Sequence, residues 1–179
     1  MNLRRREVEA IRDSMFFVAG ALTFDRPDGT QVAGFGGKGR DSWLRRLTKD
    51  DEPYRAVYLP ALRSMLTTMQ ETFDFPDPSQ IKGQREVTTV SPQALFFLNG
   101  DLAAQLSQST AELLLAEKHS DAAGRVRSAY IRLLGRKPDA DEIGAALQLM
   151  KELSSTRESF RWSTFVQALM SSAEFRYVL

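Results

Sequence analysis

The fold class follows from residues 121–150, which read DAAGRVRSAYIRLLGRKPDADEIGAALQLM. Asp121 is a preferred helix N-cap, and the apolar residues after it recur at spacings of three and four, which predicts one buried helix face. Gly135 predicts the left-handed residue at the carboxyl end of this helix. Asp139 and Glu142 have the spacing of a capping box and predict the start of a second helix. Two capped helices in so short a stretch indicate a mainly α-helical domain.

The rest of the chain gives the same signal. Further helices are predicted over about residues 4–23, from Pro60, from an N-cap at Ser91 to a break with a left-handed residue at Asn99-Gly100, from a cap at Asp101, and from about Ser159. Segments 55–59 and 85–90 are predicted to be extended, the first because Pro60 restricts the residue before it. The fold class is therefore mainly α: a compact, irregular domain of about six helices, one or two short extended segments and a long Gly-rich loop over 25–53.

Apolar periodicity also predicts which side chains each helix buries. The predicted core positions are Val8, Ile11, Met15, Val18, Leu22, Leu62, Met65, Leu66, Met69, Phe73, Leu95, Phe96, Leu98, Leu102, Leu106, Leu113, Val126, Ala129, Tyr130, Leu133, Leu134, Ile143, Leu147, Met150, Leu153, Phe160, Phe165, Val166, Leu169 and Met170. No internal repeat connects these helices, which argues against a solenoid.

Composition excludes several classes of function. The chain has no cysteine, so disulfides, thiolate metal sites, a cysteine nucleophile and covalent c-type haem are excluded. His119 is the single histidine, which excludes a multi-histidine metal centre. The net charge is +1 and residues 1–100 hold 14 basic and 13 acidic side chains, so the basic excess of a nucleic-acid-binding protein is missing.

The chain shows no targeting segment. Residues 15–22 are apolar, but Glu7, Glu9 and Asp13 precede them, which a secretory signal does not tolerate, and the run is too short to span a bilayer. We therefore predict one domain over residues 1–179, without an export signal, without membrane insertion and without nucleic acid as a partner.

Two groups of residues are candidates for ligand binding. Asp74 and Asp77, near Arg85 in sequence, could form a carboxylate pair for acid–base chemistry or a cation site; turn formation and an Arg85–aspartate clamp are the alternative. Arg55 and Tyr58 could line a sugar-binding or peptide-binding groove; packing of Tyr58 in the core is the alternative. We assign no catalytic residue, no metal ligand and no cofactor.

One glycine-rich motif belongs to the predicted loop. The string GFGGKG at residues 34–39 fits the GxGxxG spacing of dinucleotide-binding proteins. The flanking strand, helix and acidic residue of such a site are not convincing. A flexible loop is the favoured interpretation.

A set of strings in fixed order points to a family. They are RR (4–5), EAIRD (9–13), RAVYLP (55–60), FDFPD (73–77), REVTTVSPQALFFLN (85–99), LGRKP (134–138) and SAEFRYV (172–178). Together they closely resemble the planctomycete-type PSD-one domain, a domain of unknown function found in very large proteins. The resemblance implies a C-terminal domain downstream of a companion domain and often of a cytochrome-c-like haem module, in an exported protein of the periplasm or cell envelope.

Three hypotheses on function follow. The first is a non-catalytic structural or interaction module, whose partners are the upstream domains of the same polypeptide or another envelope protein. The second is part of an interdomain active site, in which carboxylates hydrolyse a polysaccharide-type substrate. The third is a small-ligand-binding domain. The resemblance carries no catalytic residue over to this chain, and it implies that the chain is the C-terminal fragment of a larger multidomain protein.

Overall fold

A computed structural model of the chain describes residues 4–29, 32, 50–63, 65–81, 83–85 and 88–178. Within these residues the fold is mainly helical, as predicted, with eight α-helices, one 3₁₀ helix (Ala56–Tyr58) and one two-stranded sheet. The α-helices are α1 (Val8–Val18), α2 (Thr68–Thr72), α3 (Ser91–Asn99), α4 (Asp101–Ala116), α5 (Ala122–Leu134), α6 (Ala140–Glu152), α7 (Glu158–Ser171) and α8 (Ala173–Arg176). The strands are β1 (Arg4–Arg5) and β2 (Tyr177–Val178). The GFGGKG string and most of the predicted 25–53 loop lie outside the described residues.

The caps predicted from residues 121–150 are confirmed. The Asp121 side chain accepts a hydrogen bond from the Gly124 N–H, and Gly135 ends α5 with a left-handed φ of 72°. At the start of α6, the backbone and side-chain bonds between Asp139 and Glu142 form both halves of a capping box. The local signals were sufficient here because each cap satisfies free helix-end groups from within its own turn.

Helices α4 and α7 make the most extensive helix–helix contact among the described elements. The buried face of α4 is rich in small side chains, namely Ala103, Ser107, Thr110 and Ala111. Small side chains allow two helix backbones to approach closely. On α7, the predicted Phe165, Val166, Leu169 and Met170 are buried. Two predictions for α6 and α7 are wrong, because Leu147 and Phe160 are exposed and Ala146 and Trp162 are buried in their place.

The two ends of the chain meet in the small sheet. Strand β1 pairs antiparallel with β2, with Arg4 opposite Val178 and Arg5 opposite Tyr177. The Arg6 N–H donates to the Arg176 carbonyl at 2.8 Å and extends the pairing. The prediction of a helix from residue 4 is therefore wrong at its start: the chain remains extended here because it pairs with β2, a partner distant in sequence.

Helix α3 buries a different face from the one predicted. Phe97 and Gln93 are fully buried, whereas Leu95 and Leu98 are about half exposed, at 50% and 54%. Phe96 and Phe97 form edge-to-face contacts with Phe73, with ring centroids 5.6 and 5.8 Å apart. The buried face is decided by these aromatic contacts and by Gln93, which a count of apolar residues does not include.

The break between α3 and α4 also differs from the prediction. Asn99 is helical and Gly100 has a φ of −76°, so neither residue is left-handed. A Cβ atom at Gly100 would lie 2.5 Å from the Phe96 carbonyl oxygen. Glycine is thus required for close approach of the backbone rather than for a positive φ. The N-caps of α3 and α4 are Val90 and Gly100, one residue before the predicted Ser91 and Asp101.

The segment between residues 55 and 73 is the least well predicted. Ala56–Tyr58 forms a 3₁₀ helix instead of a strand, and only Leu59, directly before Pro60, is extended. The helix expected from Pro60 is reduced to α2, which begins after a capping box between Thr67 and Gln70. Of the predicted extended segment 85–90, residues 86 and 87 lie outside the described residues.

Candidate functional site

The main concave site is a half-enclosed cleft of about 490 Å³ beside α1, which we call the α1 cleft. Its walls come from α1, from residues 50–60 and from the segment around α2. Apolar and charged groups both line it: Glu7, Val8, Glu9, Ala10, Arg12, Asp13, Asp50, Glu52, Arg55, Ala56, Val57, Leu59, Pro60, Thr67, Met69, Gln70 and Phe75. A mixed lining of this kind is typical of pockets that bind small molecules.

Arg12 fixes one wall of the α1 cleft. Its side chain is buried, and it donates hydrogen bonds to the backbone carbonyls of Tyr54 at 2.9 Å, of Asp50 at 3.2 Å and of Glu52. The guanidinium lies over the Phe16 ring, 4.3 Å from its centroid. Burial lowers the pKa of Arg12, and the nearby carboxylates act against that effect. One buried cation thereby holds residues 50–54 against α1.

Asp50 is the cleft carboxyl most perturbed by its surroundings. Burial raises the pKa of Asp50 above its ordinary value, although the hydrogen bonds from Thr67 and from the Met69 N–H act in the opposite direction. The Met69 N–H lies 3.3 Å from the Asp50 Oδ2 atom. A carboxyl with a raised pKa, inside a cleft, has the property that a proton donor needs.

Arg55 and Tyr58 do not form one site. Asp13 accepts a hydrogen bond from the Ala56 N–H at 2.8 Å and lies 3.6 Å from the Arg55 guanidinium, so it holds the start of the 3₁₀ helix. Arg55 lines the α1 cleft, whereas Tyr58 faces a separate hollow beside residues 26–29. Tyr58 is 38% exposed, so its predicted core packing is wrong.

Asp74 is the centre of a polar junction, which we define as Arg5, Asp74, Thr88 and Gln93. The Asp74 carboxylate accepts hydrogen bonds from Arg5 at 2.6 Å, from the Thr88 N–H at 2.9 Å and from the Thr88 hydroxyl at 2.8 Å. The amide of Gln93 donates to the Thr88 carbonyl at 3.2 Å. Asp74 has a φ of 59°, a left-handed conformation that aspartate tolerates better than most residues. The junction joins β1 to the segments before α3.

Asp77 belongs to a local turn. Its carboxylate accepts hydrogen bonds from the N–H and the hydroxyl of Ser79, at 2.8 and 2.6 Å, and from the Gln80 amide at 3.1 Å. Asp74 and Asp77 therefore have different partners and different roles in the two turns. The alternative of turn formation accounts for the contacts of both.

Arg85 does not pair with either aspartate, which corrects the predicted Arg85–aspartate clamp. It binds both carboxylate oxygens of Glu9, at 2.8 and 2.9 Å, and Glu7 at 3.2 Å. Burial raises the pKa of Glu9, but the bonds from Arg85 outweigh burial and leave that pKa below its ordinary value. Arg85 still joins two segments, with α1 as the partner in place of the 73–77 turn.

Sequence reasoning did not single out Arg12, Asp13 or Asp50 as site residues. One signal was present, because Arg12 occupies a position on the buried face of α1, between Ile11 and Met15. A charged residue on an apolar helix face requires a polar partner elsewhere in the fold. The position of that partner, more than thirty residues away, could not be read from the spacing.

Two searches of the described residues were negative. Within those ranges, no group of three or more histidine, cysteine, aspartate or glutamate side chains is placed to hold a metal ion. In the same part of the chain, no helix combines the length and the apolar character needed to cross a membrane.

Comparison with known proteins gives one match. No curated protein and no solved structure matches the chain. The profile of the PSD1 family, described as a protein of unknown function (DUF1553), matches residues 1–150. The matched range ends within α6, so α7, α8 and β2 lie beyond it. Because the match covers well over half of the sequence, the chain belongs to the PSD1 family of unknown function (DUF1553).

Proposed function

We propose that the chain is a non-catalytic structural and interaction module of a large exported protein that also carries cytochrome-c-like modules. Its partners are the upstream domains of the same polypeptide or a second protein of the cell envelope. The resemblance to the planctomycete-type PSD-one domain supports this context, and membership in the PSD1 family is consistent with it.

The contacts of Asp74 are the observation that carries the proposal. Both oxygens of this carboxylate accept hydrogen bonds, from Arg5 on one side and from Thr88 on the other. An acid or base catalyst must exchange its proton with substrate, whereas this carboxylate is fully used in joining distant segments. Asp77 and Arg85 are engaged in the same way, in a turn and in a clamp on α1. The candidate residues of the 73–85 region thus stabilise the fold.

Exposed apolar side chains favour an interaction role. Large side chains that are about half exposed or more include Phe17, Phe24, Val57, Ile81, Leu95, Leu98, Ile131 and Phe160. Scattered exposed apolar residues are ordinary on a protein surface, but adjacent ones are typical of docking surfaces. Phe17 and Phe24 are adjacent, with ring centroids 6.4 Å apart.

Fractionation of cells of the source organism tests the proposal. An antibody raised against this 20.1 kDa chain is used to probe cytosolic and envelope fractions, followed by a haem stain of the precipitated band. We expect a band much larger than 20.1 kDa, in the envelope fraction and positive for haem. A haem-negative 20.1 kDa band confined to the cytosol would contradict the proposal. Serum depleted on the purified chain is the control.

The α1 cleft supports a second candidate function, the binding of a small ligand with Asp50 as proton donor. The half-enclosed volume of about 490 Å³ and the raised pKa of Asp50 are the observations in its favour. A thermal-shift screen with oligosaccharides and amines tests it. A ligand that stabilises the wild-type protein and the exposed-site control Asp51→Asn, but not Asp50→Asn, would support binding in the cleft. Equal shifts in all three proteins would count against it.

A further inference from the structure

A shallow apolar groove of about 450 Å³ lies on the far side of the Asp13–Arg55 pair from the α1 cleft. We call it the Phe17 groove. Its edge is formed by Phe17 and Phe24, which are 60% and 64% exposed and contact each other edge to face. Its floor is formed by the more buried Val18, Leu22, Leu133 and Phe175. Two exposed aromatic rings above an apolar floor are typical of a docking site for another apolar side chain.

The polar rim of the Phe17 groove is positively charged. Arg6, Arg55 and Arg132 line it, and Asp13 is its one carboxylate among the described lining residues. Arg55 pairs with Asp13 at 3.6 Å, and Arg132 pairs with Glu117 outside the groove at 2.7 Å.

Arg6 keeps its charge uncompensated at this rim. Its guanidinium donates a hydrogen bond to the Ser14 hydroxyl at 3.4 Å, and it forms no ion pair within the part of the chain that the structure describes. A guanidinium of this kind can bind a carboxylate through two parallel hydrogen bonds.

We infer that the Phe17 groove binds an acidic, apolar peptide segment of a partner protein. Large apolar side chains of that segment pack on Phe17 and Phe24, and a neighbouring aspartate or glutamate pairs with Arg6. This inference rests on the proposed role as an interaction module and names the chemistry of the partner. A nucleic acid is disfavoured, because one uncompensated arginine is far fewer than the phosphate contacts such binding uses.

Selection from random peptides displayed on phage, with the full 179-residue chain as bait, tests the inference. We expect enriched peptides to combine large apolar residues with aspartate or glutamate. An enriched peptide is then synthesised with a fluorophore, and its affinity is measured by anisotropy. The double variant Phe17→Ser/Phe24→Ser should bind at least about tenfold more weakly, as expected when aromatic anchors are removed.

A charge-reversal variant tests the acidic part of the segment separately. Arg6→Glu should weaken binding several-fold and reduce the dependence of affinity on salt, because a rim charge acts mainly through long-range attraction. Phe160→Ser and Arg127→Glu are the matched controls, since both residues are exposed and lie outside the groove lining. Both controls should bind like the wild-type protein.

Three outcomes would overturn the inference. One is the absence of any enriched peptide, or enrichment without acidic residues. Another is full affinity in both the double phenylalanine variant and Arg6→Glu. The third is self-association of the wild-type chain that Phe17→Ser/Phe24→Ser abolishes, because a second copy would then cover the groove. A large haem-bearing parent protein in the envelope fraction would still support the module proposal in each case, so the two failures are distinguishable.

Discussion

The two halves of this domain are held together by different forces. Residues 88–178 form six helices in which buried aromatic and aliphatic side chains of neighbouring helices pack together. Residues 4–85 contain one long helix, α1, and reach their positions through buried or half-buried arginines. Arg5, Arg12 and Arg85 each bind groups at least 38 residues away in sequence. The comparison shows that a helical domain can contain a region whose conformation depends on polar contacts.

These forces differ in what they contribute to stability. Burial of an aliphatic or aromatic side chain contributes about 1.5 to 3 kcal/mol. A buried ion pair loses most of its attraction to desolvation, yet removal of one partner is costly because the other charge stays buried. We therefore expect the helical half to determine the total free energy of unfolding. The arginines are expected to determine which conformation the loops adopt.

The largest effect is expected from Phe97→Ala, which tests whether the aromatic cluster joins the two halves. The Phe97 ring is fully buried and contacts both Phe73 and Phe175, at centroid distances of 5.8 and 6.2 Å. Loss of this ring should lower the free energy of unfolding by about 3 to 5 kcal/mol. Urea denaturation followed by circular dichroism measures the change.

The neighbouring leucine provides the control for this substitution. Leu98 is 54% exposed, so Leu98→Ala should change the free energy of unfolding by less than about 1 kcal/mol. Equal losses for the two variants would mean that Phe97 is not the residue through which α3 joins the core.

The helical half could be predicted from the sequence because its signals are local. Caps such as Asp121 and Asp139 act within one turn, and the apolar period of α5 needs no knowledge of its partner. The predicted face of α3 was wrong because Gln93 is buried through the Asp74 junction, which a hydrophobicity pattern cannot detect.

The candidate site was less predictable for a related reason. The ionic partners of Arg5 and Arg85 lie 69 and 76 residues away, and spacing does not show which charges meet. Arg12 could have been suspected from its place on the apolar face of α1, whereas its three carbonyl partners could not.

The second-largest effect is expected from Asp74→Asn, which tests the polar half. The Arg5 guanidinium would stay buried without its carboxylate, and the free energy of unfolding should fall by roughly 2 to 3 kcal/mol. Hydrogen exchange should increase mainly in residues 4–29 and 50–85, while the amides of α4 and α7 stay protected. Mass spectrometry of exchanged peptides measures this.

Asp77→Asn is the matched control for Asp74→Asn. An asparagine at position 77 can still accept the hydrogen bonds from Ser79, so we expect a loss of about 1 kcal/mol or less. If Asp74→Asn were equally mild, the junction would not be what orders the amino-terminal half.

A smaller effect is expected at Gly100, between α3 and α4. A Cβ atom there would lie 2.5 Å from the Phe96 carbonyl oxygen, so Gly100→Ala must shift the backbone. We expect a loss of about 1 to 2 kcal/mol. Gly144→Ala on α6 is the opposite case, because a Cβ atom meets nothing within 4 Å there. It should raise the free energy of unfolding by about 0.5 to 1 kcal/mol. A stabilising Gly100→Ala would contradict the proposed close approach.

The smallest effect concerns an ion pair of the helical half, which shows what the same chemistry contributes nearer to solvent. Hydrogen bonds from Arg136 and from the Asp139 N–H lower the pKa of Glu142 to about 2, from an ordinary value of 4.5. A carboxyl whose pKa is lower in the folded state stabilises the protein above pH 4.5, and this contribution is lost as the pH falls toward 2. We expect the pair to contribute less than about 1 kcal/mol, as partly exposed pairs do. Stability measured between these pH values should therefore fall slightly less in Glu142→Gln and Arg136→Met than in the wild-type protein. A loss in these variants as large as that of Asp74→Asn would mean that the two halves do not differ in how they use arginine.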